Sequence, residues 1–376
     1  MQNKIKNIVV TLVFVLFIGI FAALCIVNYF NPTDFSESER RPLAQFPENI
    51  TWDGIVDKTV IDKFEDFSVD QFPLREFFRG LKANFQYNIL GLKENNSLTI
   101  VDGQIVKVET TLNEGSLEFA SKKFNTIYNR FLKGKNTNVY FSIIPDKNYF
   151  LGEKYGYPSF DYEKLINIMK ENLDEMEYIN IMDSLELSDY YTTDTHWSQD
   201  KIIDVAEKIA EAMNADFNPS GYYDKHEVSD FYGVYYGQSA INPAPDKIVY
   251  LTNAILDACT VYDYENIFKT LPIYNLEKLD QENADAYEIF LSGSKSLLRI
   301  DNPNATSDKE LVIFRDSFGS SIAPLLAEGY KTVYVVDIRY MPLYQACSMI
   351  DFTDKDVLFI YSTSVINSPD IEKTFK

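Results

Sequence analysis

Only two of the 376 residues are histidines, His196 and His226, so an imidazole base working near neutral pH must be one of them. His196 stands in Asp194-Thr195-His196-Trp197, with a carboxylate two positions ahead of the ring that can hold it in one tautomer. A serine hydroxyl is a weak nucleophile near pH 7 and needs such a base beside it. Ser317, within Arg315-Asp316-Ser317-Phe318-Gly319, follows an apolar run and precedes a helical one. There its hydroxyl stands above the end of a strand, and its own N–H lies close to a helix N-terminus, which suits an oxyanion. The parts are a nucleophile (Ser317), its base (His196) and an orienting carboxylate (Asp194). The segment keeps the last glycine of the G-x-S-x-G elbow but not the first, so the pattern is not that of a standard α/β-hydrolase. Each piece alone is more often a helix cap or a turn than a site; together they supply the parts of one.

Other chemistry is poorly supplied. Two histidines 30 residues apart and no cysteine cluster do not make a usual zinc set, and no cofactor is called for. His226, in Tyr222-Tyr223-Asp224-Lys225-His226, reads as an exposed loop residue with a substrate contact as the alternative; Trp197 reads as core, with stacking on a sugar as the alternative. The net charge of -21 is spread along the chain, and phosphate binding needs clustered Lys and Arg, so no nucleic-acid partner is expected.

The elements that must position these groups follow from periodicity. With 46% hydrophobic residues, 27 Phe and 26 Tyr, the chain can bury a large core. From about Leu117, helical stretches at 117–132, 161–175 and 199–213 alternate with the apolar runs 139–144 and 178–182. The same beat returns near the C-terminus, where runs at 311–314, 332–338 and 357–361 enclose helices at 320–328 and 342–350. Continuous apolar strands between amphipathic helices predict an α/β fold with a parallel sheet covered on both faces. Asp194 and His196 then fall on a loop before a helix that Ser198 would cap, and Ser317 on an equivalent loop elsewhere. Residues 215–300 read as an irregular, Tyr-rich insertion. Ahead of the sheet, Ile55, Val60, Ile61, Phe64 and Phe67 share a helical face, a second helix after Pro73 carries Phe77, Phe78, Leu81 and Phe85, and Asp102-Gly103 turns a hairpin over 97–108.

The N-terminus suggests a compartment. No charge occurs from Asn7 to Thr33, and residues 8–30 are long enough to cross a hydrocarbon core of about 30 Å. Lys4 and Lys6 precede the span, and Asp34 and Glu37 follow it. By the positive-inside rule, residues 1–7 are cytoplasmic and everything after Phe30 lies outside. A cleaved signal peptide is the competing reading. Residues 31–53, polar with three prolines, read as a linker to the folded body at 54–376, whose first part spans 54–116. Cys25 lies in the span, leaving Cys259 and Cys347 as a possible exported disulfide or as two buried thiols.

Several segments together resemble the DHHW proteins and the periplasmic alginate O-acetylation proteins, members of the SGNH-hydrolase-like group. They are Asp194-Thr195-His196-Trp197-Ser198, the run from Val312 to Leu325, and Val336-Asp337-Ile338-Arg339-Tyr340. Joining them are Glu39-Arg40-Arg41-Pro42-Leu43-Ala44-Gln45-Phe46-Pro47, Asp70-Gln71-Phe72-Pro73-Leu74-Arg75, Pro145-Asp146-Lys147 and Asp230-Phe231-Tyr232-Gly233. Thr195 departs from the histidine of the family name. The resemblance implies an SGNH-like parallel-sheet sandwich with permuted order, the Asp-x-His pair preceding the serine. It implies that Ser317 accepts an acetyl group with His196 and Asp194 behind it, and that the acceptor is an extracellular polysaccharide. It also implies a separate membrane-bound O-acyltransferase as acetyl donor. It leaves the second oxyanion donor unassigned, and the candidates for that role or for substrate contact are the Gly293 backbone, Arg339 of the family segment, Tyr340, Lys147 and Trp197. Sugar stacking would fall to Tyr222, Tyr223, Tyr232, Tyr235 and Tyr236 of the insertion. A deacetylating esterase and a silent glycan-binding scaffold are the other functions this sequence would serve.

Overall fold

The computed structural model describes residues 2–36, 38, 39, 41–217, 223–241, 243–266, 269–281 and 285–375. They form two compact units, Met1–Asn96 with Val234–Pro243, and Ser97–Gly233 with Ala244–Lys376. The hairpin expected with the N-terminal part therefore belongs to the second unit, and the insertion is divided between the two.

In the first unit the helix Gln2–Phe30 holds the apolar stretch. Its portion Lys4–Phe30 is long and apolar enough to span a membrane or to serve as a signal sequence. The expected linker is folded rather than open: Phe35–Ser36 pairs antiparallel with Arg41–Pro42. Arg41 grips Asp70 through both terminal nitrogens (2.8 and 2.7 Å), and Ala44 N–H donates to the same carboxylate at 2.9 Å. Helices Thr59–Asp70 and Arg75–Asn84 follow. Of the side chains expected to line their core face, Phe67 is buried, whereas Ile61, Phe64, Phe77, Phe78, Leu81 and Phe85 are exposed. The segment 234–243 is held by side chains reaching its carbonyls, Arg79 to Gly237 O at 2.6 Å and Asn95 to Ser239 O at 2.9 Å.

The second unit is built on one eight-stranded sheet. Its spatial order is Lys269–Leu271, Thr260–Asp263, Leu297–Asp301, Thr332–Val336, Glu310–Arg315, Asp356–Ser362, Asn138–Ile144 and Glu177–Tyr178. The last five run parallel and the first three antiparallel. This is the mixed α/β fold, with a largely parallel sheet, expected from the alternating pattern. The irregular stretch 215–300 is less separate than expected, because it supplies the three antiparallel strands. Their alternation is short and interrupted, which hides them from a reading that seeks long apolar runs.

Alternate residues of Glu310–Arg315 feed two cores. Leu311 and Ile313 pack with the helices Ile203–Ala212 and Gly319–Leu326, while Val312 and Phe314 pack with Glu114–Ile127 and Leu343–Ser348. The connection leaving Glu310–Arg315 passes over one face, and those leaving Thr332–Val336 and Asp356–Ser362 pass over the other. Such a reversal opens a crevice at the carboxyl ends of the strands. Cys259 and Cys347 are free thiols packed in different cores, each pushed up to about 12 by burial.

Candidate active site

Ser317 lies in that crevice, two residues past the strand Glu310–Arg315 and two before the helix Gly319–Leu326. The turn carrying it is set by Asp316, fully buried, whose carboxylate accepts from Phe318 N–H at 3.0 Å and from Ser362 N–H at 2.7 Å. Gly319 is needed for the sharpness of the turn, since a Cβ there would stand 2.4 Å from Arg315 Cβ. Ser317 is the half-exposed residue between buried Asp316 and Phe318. Its N–H has no acceptor among the described residues.

His196 reaches this turn from a loop more than a hundred residues earlier. Its Nδ1 lies 2.6 Å from Asp194 Oδ1, and its Nε2 lies 2.8 Å from Ser317 Oγ. Asp194 accepts only, so Nδ1 carries the proton and Nε2 is free to accept from the serine hydroxyl. Asp194 Oδ1 also takes His196 N–H at 3.0 Å, which closes the two-residue spacing into a small ring. The structure therefore brings Asp194, His196 and Ser317 into one hydrogen-bonded line.

Residues that sequence reasoning did not single out shape this line. Tyr287 is buried and stacks on the imidazole, with centroids 3.9 Å apart and planes 11° from parallel. Its hydroxyl meets Ser321 Oγ at 2.8 Å, which also accepts from Trp197 Nε1 at 2.8 Å. Asp246 holds the approach to the loop, accepting from Thr192 N–H at 2.8 Å, Thr193 N–H at 2.7 Å and the Thr193 hydroxyl at 2.6 Å. The Thr193 hydroxyl in turn accepts from Gly233 N–H at 2.9 Å. Gly233 lies so close that a Cβ on it would stand 2.3 Å from Asp194 Cβ. The only sequence signal for that contact was the segment Asp230-Phe231-Tyr232-Gly233, whose role depends on a partner 39 residues away.

The other expected contacts fall differently. Lys147 is buried beneath the loop, where its ammonium donates to the carbonyls of Ile105 (3.0 Å), Thr192 (3.2 Å) and Tyr191. Burial pulls it down to about 7 against the opposing pull of Asp194 and Asp246. It supports the loop from inside and is closed to substrate. Gly293 N–H is already engaged with Phe290 O at 3.1 Å, so it is not an open oxyanion donor. Arg339 is locked on Asp337 by Nε at 2.9 Å and a terminal nitrogen at 2.7 Å. Asp337 also binds buried Arg315 at 3.2 Å. Tyr340 is exposed and takes the Ser294 hydroxyl at 3.1 Å. Trp197 is fully buried, which excludes stacking on a sugar. Ser198 caps no α-helix; it precedes the short turn Gln199–Lys201 and donates to Asp200 at 2.6 Å.

Among the tyrosines, Tyr222 lies outside the described residues. Tyr223 donates to Glu328 at 2.6 Å, Tyr235 is buried and Tyr232 is exposed. His226 is on the strand Asp224–Phe231 rather than a loop, 2.8 Å from the Thr252 hydroxyl and stacked on Tyr250.

The sequence matches the model of the DHHW protein family over residues 129–336, more than half of the chain. Among solved structures, it is similar to a DHHW family protein from Eubacterium siraeum, with 23% identity, 75% of this chain and 95% of that chain covered, and a TM-score of 0.61. It is similar also to Bacillus cereus PatB1 carrying a sulfonyl adduct, with 21% identity, 74% and 97% covered, and a TM-score of 0.58. The O-acetyltransferase domain of Pseudomonas putida AlgJ aligns with 12% identity over 72% of this chain and 92% of that one, at a TM-score of 0.44. Among curated proteins, none matches the chain.

Proposed function

Because the chain belongs to the DHHW family, we propose that it is a membrane-anchored, extracytoplasmic SGNH-hydrolase-like O-acetyltransferase acting on hydroxyls of a cell-surface or secreted polysaccharide. One observation carries this reading: the line from Asp194 through His196 to Ser317, with contacts of 2.6 and 2.8 Å. Those are the distances a base needs to take a hydroxyl proton directly. In the first half-reaction, Ser317 Oγ attacks the donor's acetyl carbonyl as its proton passes to His196 Nε2. Collapse of the adduct breaks the bond to the donor's leaving oxygen, which takes that proton from the imidazolium. In the second half, a sugar hydroxyl gives its proton to Nε2, attacks the acetyl-serine ester and releases Ser317, which recovers the proton. Asp194 accepts from Nδ1–H throughout and steadies the imidazolium. The free N–H of Ser317 supports stabilisation of the oxyanion. The acetyl group and the polysaccharide acceptor follow from the family resemblance of the motifs, as does a separate membrane-bound O-acyltransferase that would hand over the acetyl group. Lys4 and Lys6, at the start of the N-terminal helix and ahead of its uncharged stretch, support a cytoplasmic N-terminus.

The test uses the full chain in detergent with a chromogenic acetyl ester. Acetate release should fall at least about a hundredfold in Ser317→Ala and in His196→Ala, as expected when a nucleophile or its base is removed. Unchanged turnover in both variants would sink the assignment. A sulfonyl fluoride should label Ser317, since such reagents are captured by activated hydroxyls. Adding an oligosaccharide acceptor should give acetylated sugar by mass spectrometry. Release of free acetate alone would make the protein an esterase, with water in place of the sugar.

A further inference from the structure

The first unit turns its apolar side outward. Among the described residues after the N-terminal helix, exposed large apolar side chains concentrate between Ile50 and Leu92, Phe64, Phe72, Phe77, Leu81, Phe85 and Leu90 among them. Beyond Leu92 they are few and scattered. Three charged side chains of the same helices turn inward, onto the segment that precedes them: Arg75 and Arg79 bind Glu39 at 2.5 and 3.0 Å, and Asp70 binds Arg41 at 2.7 Å. Asp62, Lys63, Glu65, Asp66, Glu76 and Lys82 are exposed as well, so these helices carry phenylalanines and charges outward together, the composition of a helix that lies in a membrane interface. A contiguous apolar surface of this kind marks a membrane or an interface.

Continuity with the N-terminal helix says which. Asn28 Nδ2 donates to Gln71 O at 2.8 Å, and Tyr29 packs against Phe46 with ring centroids 5.0 Å apart. Deeper along the same helix, the Phe21 ring lies 6.0 Å from both Phe72 and Phe78. At about 1.5 Å of rise per residue, Phe21 sits about 10 Å along the axis from Asn28. A span of about 20 residues that begins just after Lys6 ends near Asn28. Phe72 and Phe78 would then be about 10 Å below the edge of the hydrocarbon, within the range of about 5–10 Å to which interfacial amphipathic helices sink.

We infer that Thr59–Asp70, Arg75–Asn84 and the turn that follows to Leu92 form a second membrane-seated element, with their phenylalanine face among lipid acyl chains beside the N-terminal helix. This rests on reading Lys4–Phe30 as a bilayer-spanning anchor. The full chain is reconstituted in phosphatidylcholine vesicles whose acyl chains carry bromine, a short-range quencher of indole fluorescence. The parent is Trp52→Phe, which keeps only Trp197, buried in the second unit's core. Leu81→Trp probes the exposed face and Phe17→Trp the anchor. Both added tryptophans should lose at least half their emission relative to plain vesicles, with the parent unchanged. Full emission from Leu81→Trp beside a quenched Phe17→Trp overturns the inference while leaving the anchor intact. Full emission from Phe17→Trp overturns the anchor reading, and the inference falls with it.

Discussion

Gly233→Ala perturbs the candidate site without touching any of its three polar groups. The added Cβ would stand 2.3 Å from Asp194 Cβ and 2.4 Å from Thr193 O, while ordinary contact begins at 3.4 Å. Something must therefore move by about 1.1 Å, the difference between the first and last of those distances. Neither neighbour yields easily, because Thr193 is held by Asp246 and Asp194 by His196. The displacement is therefore passed to the Asp194–His196 pair. A misplacement of about 1 Å at a catalytic group costs about a hundredfold in rate, equivalent to about 2.7 kcal/mol of transition-state stabilisation. The assay is turnover of a chromogenic acetyl ester by the full chain, with thermal unfolding followed in parallel. Gly115→Ala is the control, because nothing lies within 4 Å of a Cβ at that helical position. The expectation is a kcat lowered about a hundredfold in Gly233→Ala and unchanged in Gly115→Ala. A Gly233→Ala enzyme that keeps its fold and works within threefold of the parent would refute the argument that this glycine sets the position of Asp194.

Two further outcomes follow from the surroundings of the site. Tyr287→Leu keeps an apolar filling but removes the π face 3.9 Å from the imidazole, and a cation–π contact of about 0.5–2 kcal/mol with the imidazolium formed in the reaction would vanish. Its kcat should fall between about 2- and 30-fold, while Tyr287→Phe stays near the parent; equal rates for the Leu and Phe variants would deny the ring that role. Lys147, brought down to about 7 by burial from an ordinary 10.5, is charged in both folded and unfolded chains below about pH 7, where its burial cost is fully present. Between that pH and 10.5 unfolding takes up a proton, so stability should rise with pH, by at most about 1.4 kcal/mol per pH unit for one proton. Unfolding at pH 7.5 and 9.5 should show that rise reduced in Lys147→Met, and identical pH dependence in the two proteins would contradict it.

The residues disclosed their chemistry where it depends on local spacing. Asp194 two positions before His196 can close a hydrogen-bonded ring by itself, and Ser317 sits at a strand end because four apolar residues precede it; both are properties of a few consecutive residues. The apolar runs likewise announced the parallel strands, since a strand covered on both faces has no polar side to show. The three antiparallel strands were hidden because each is short, and because the pairings that join Thr260–Asp263 to Leu297–Asp301, and that strand to Thr332–Val336, connect segments distant along the chain.

The sequence by itself determined the kinds of groups available: two histidines, each with an aspartate two positions ahead, one serine at a strand end, and an apolar N-terminal stretch. Tertiary structure alone decided that Tyr287 roofs the imidazole, that Asp246 and Gly233 fix the loop, and that Lys147 supports it from beneath instead of meeting substrate. It also decided that Phe64, Phe72, Phe77, Phe78 and Phe85 of the first unit face outward while Phe67 is buried. The physical reason is the same in each case. Periodicity records that a side chain is apolar or charged along its own element, but burial, stacking and a 2.3 Å clearance arise only when elements distant in sequence are packed together.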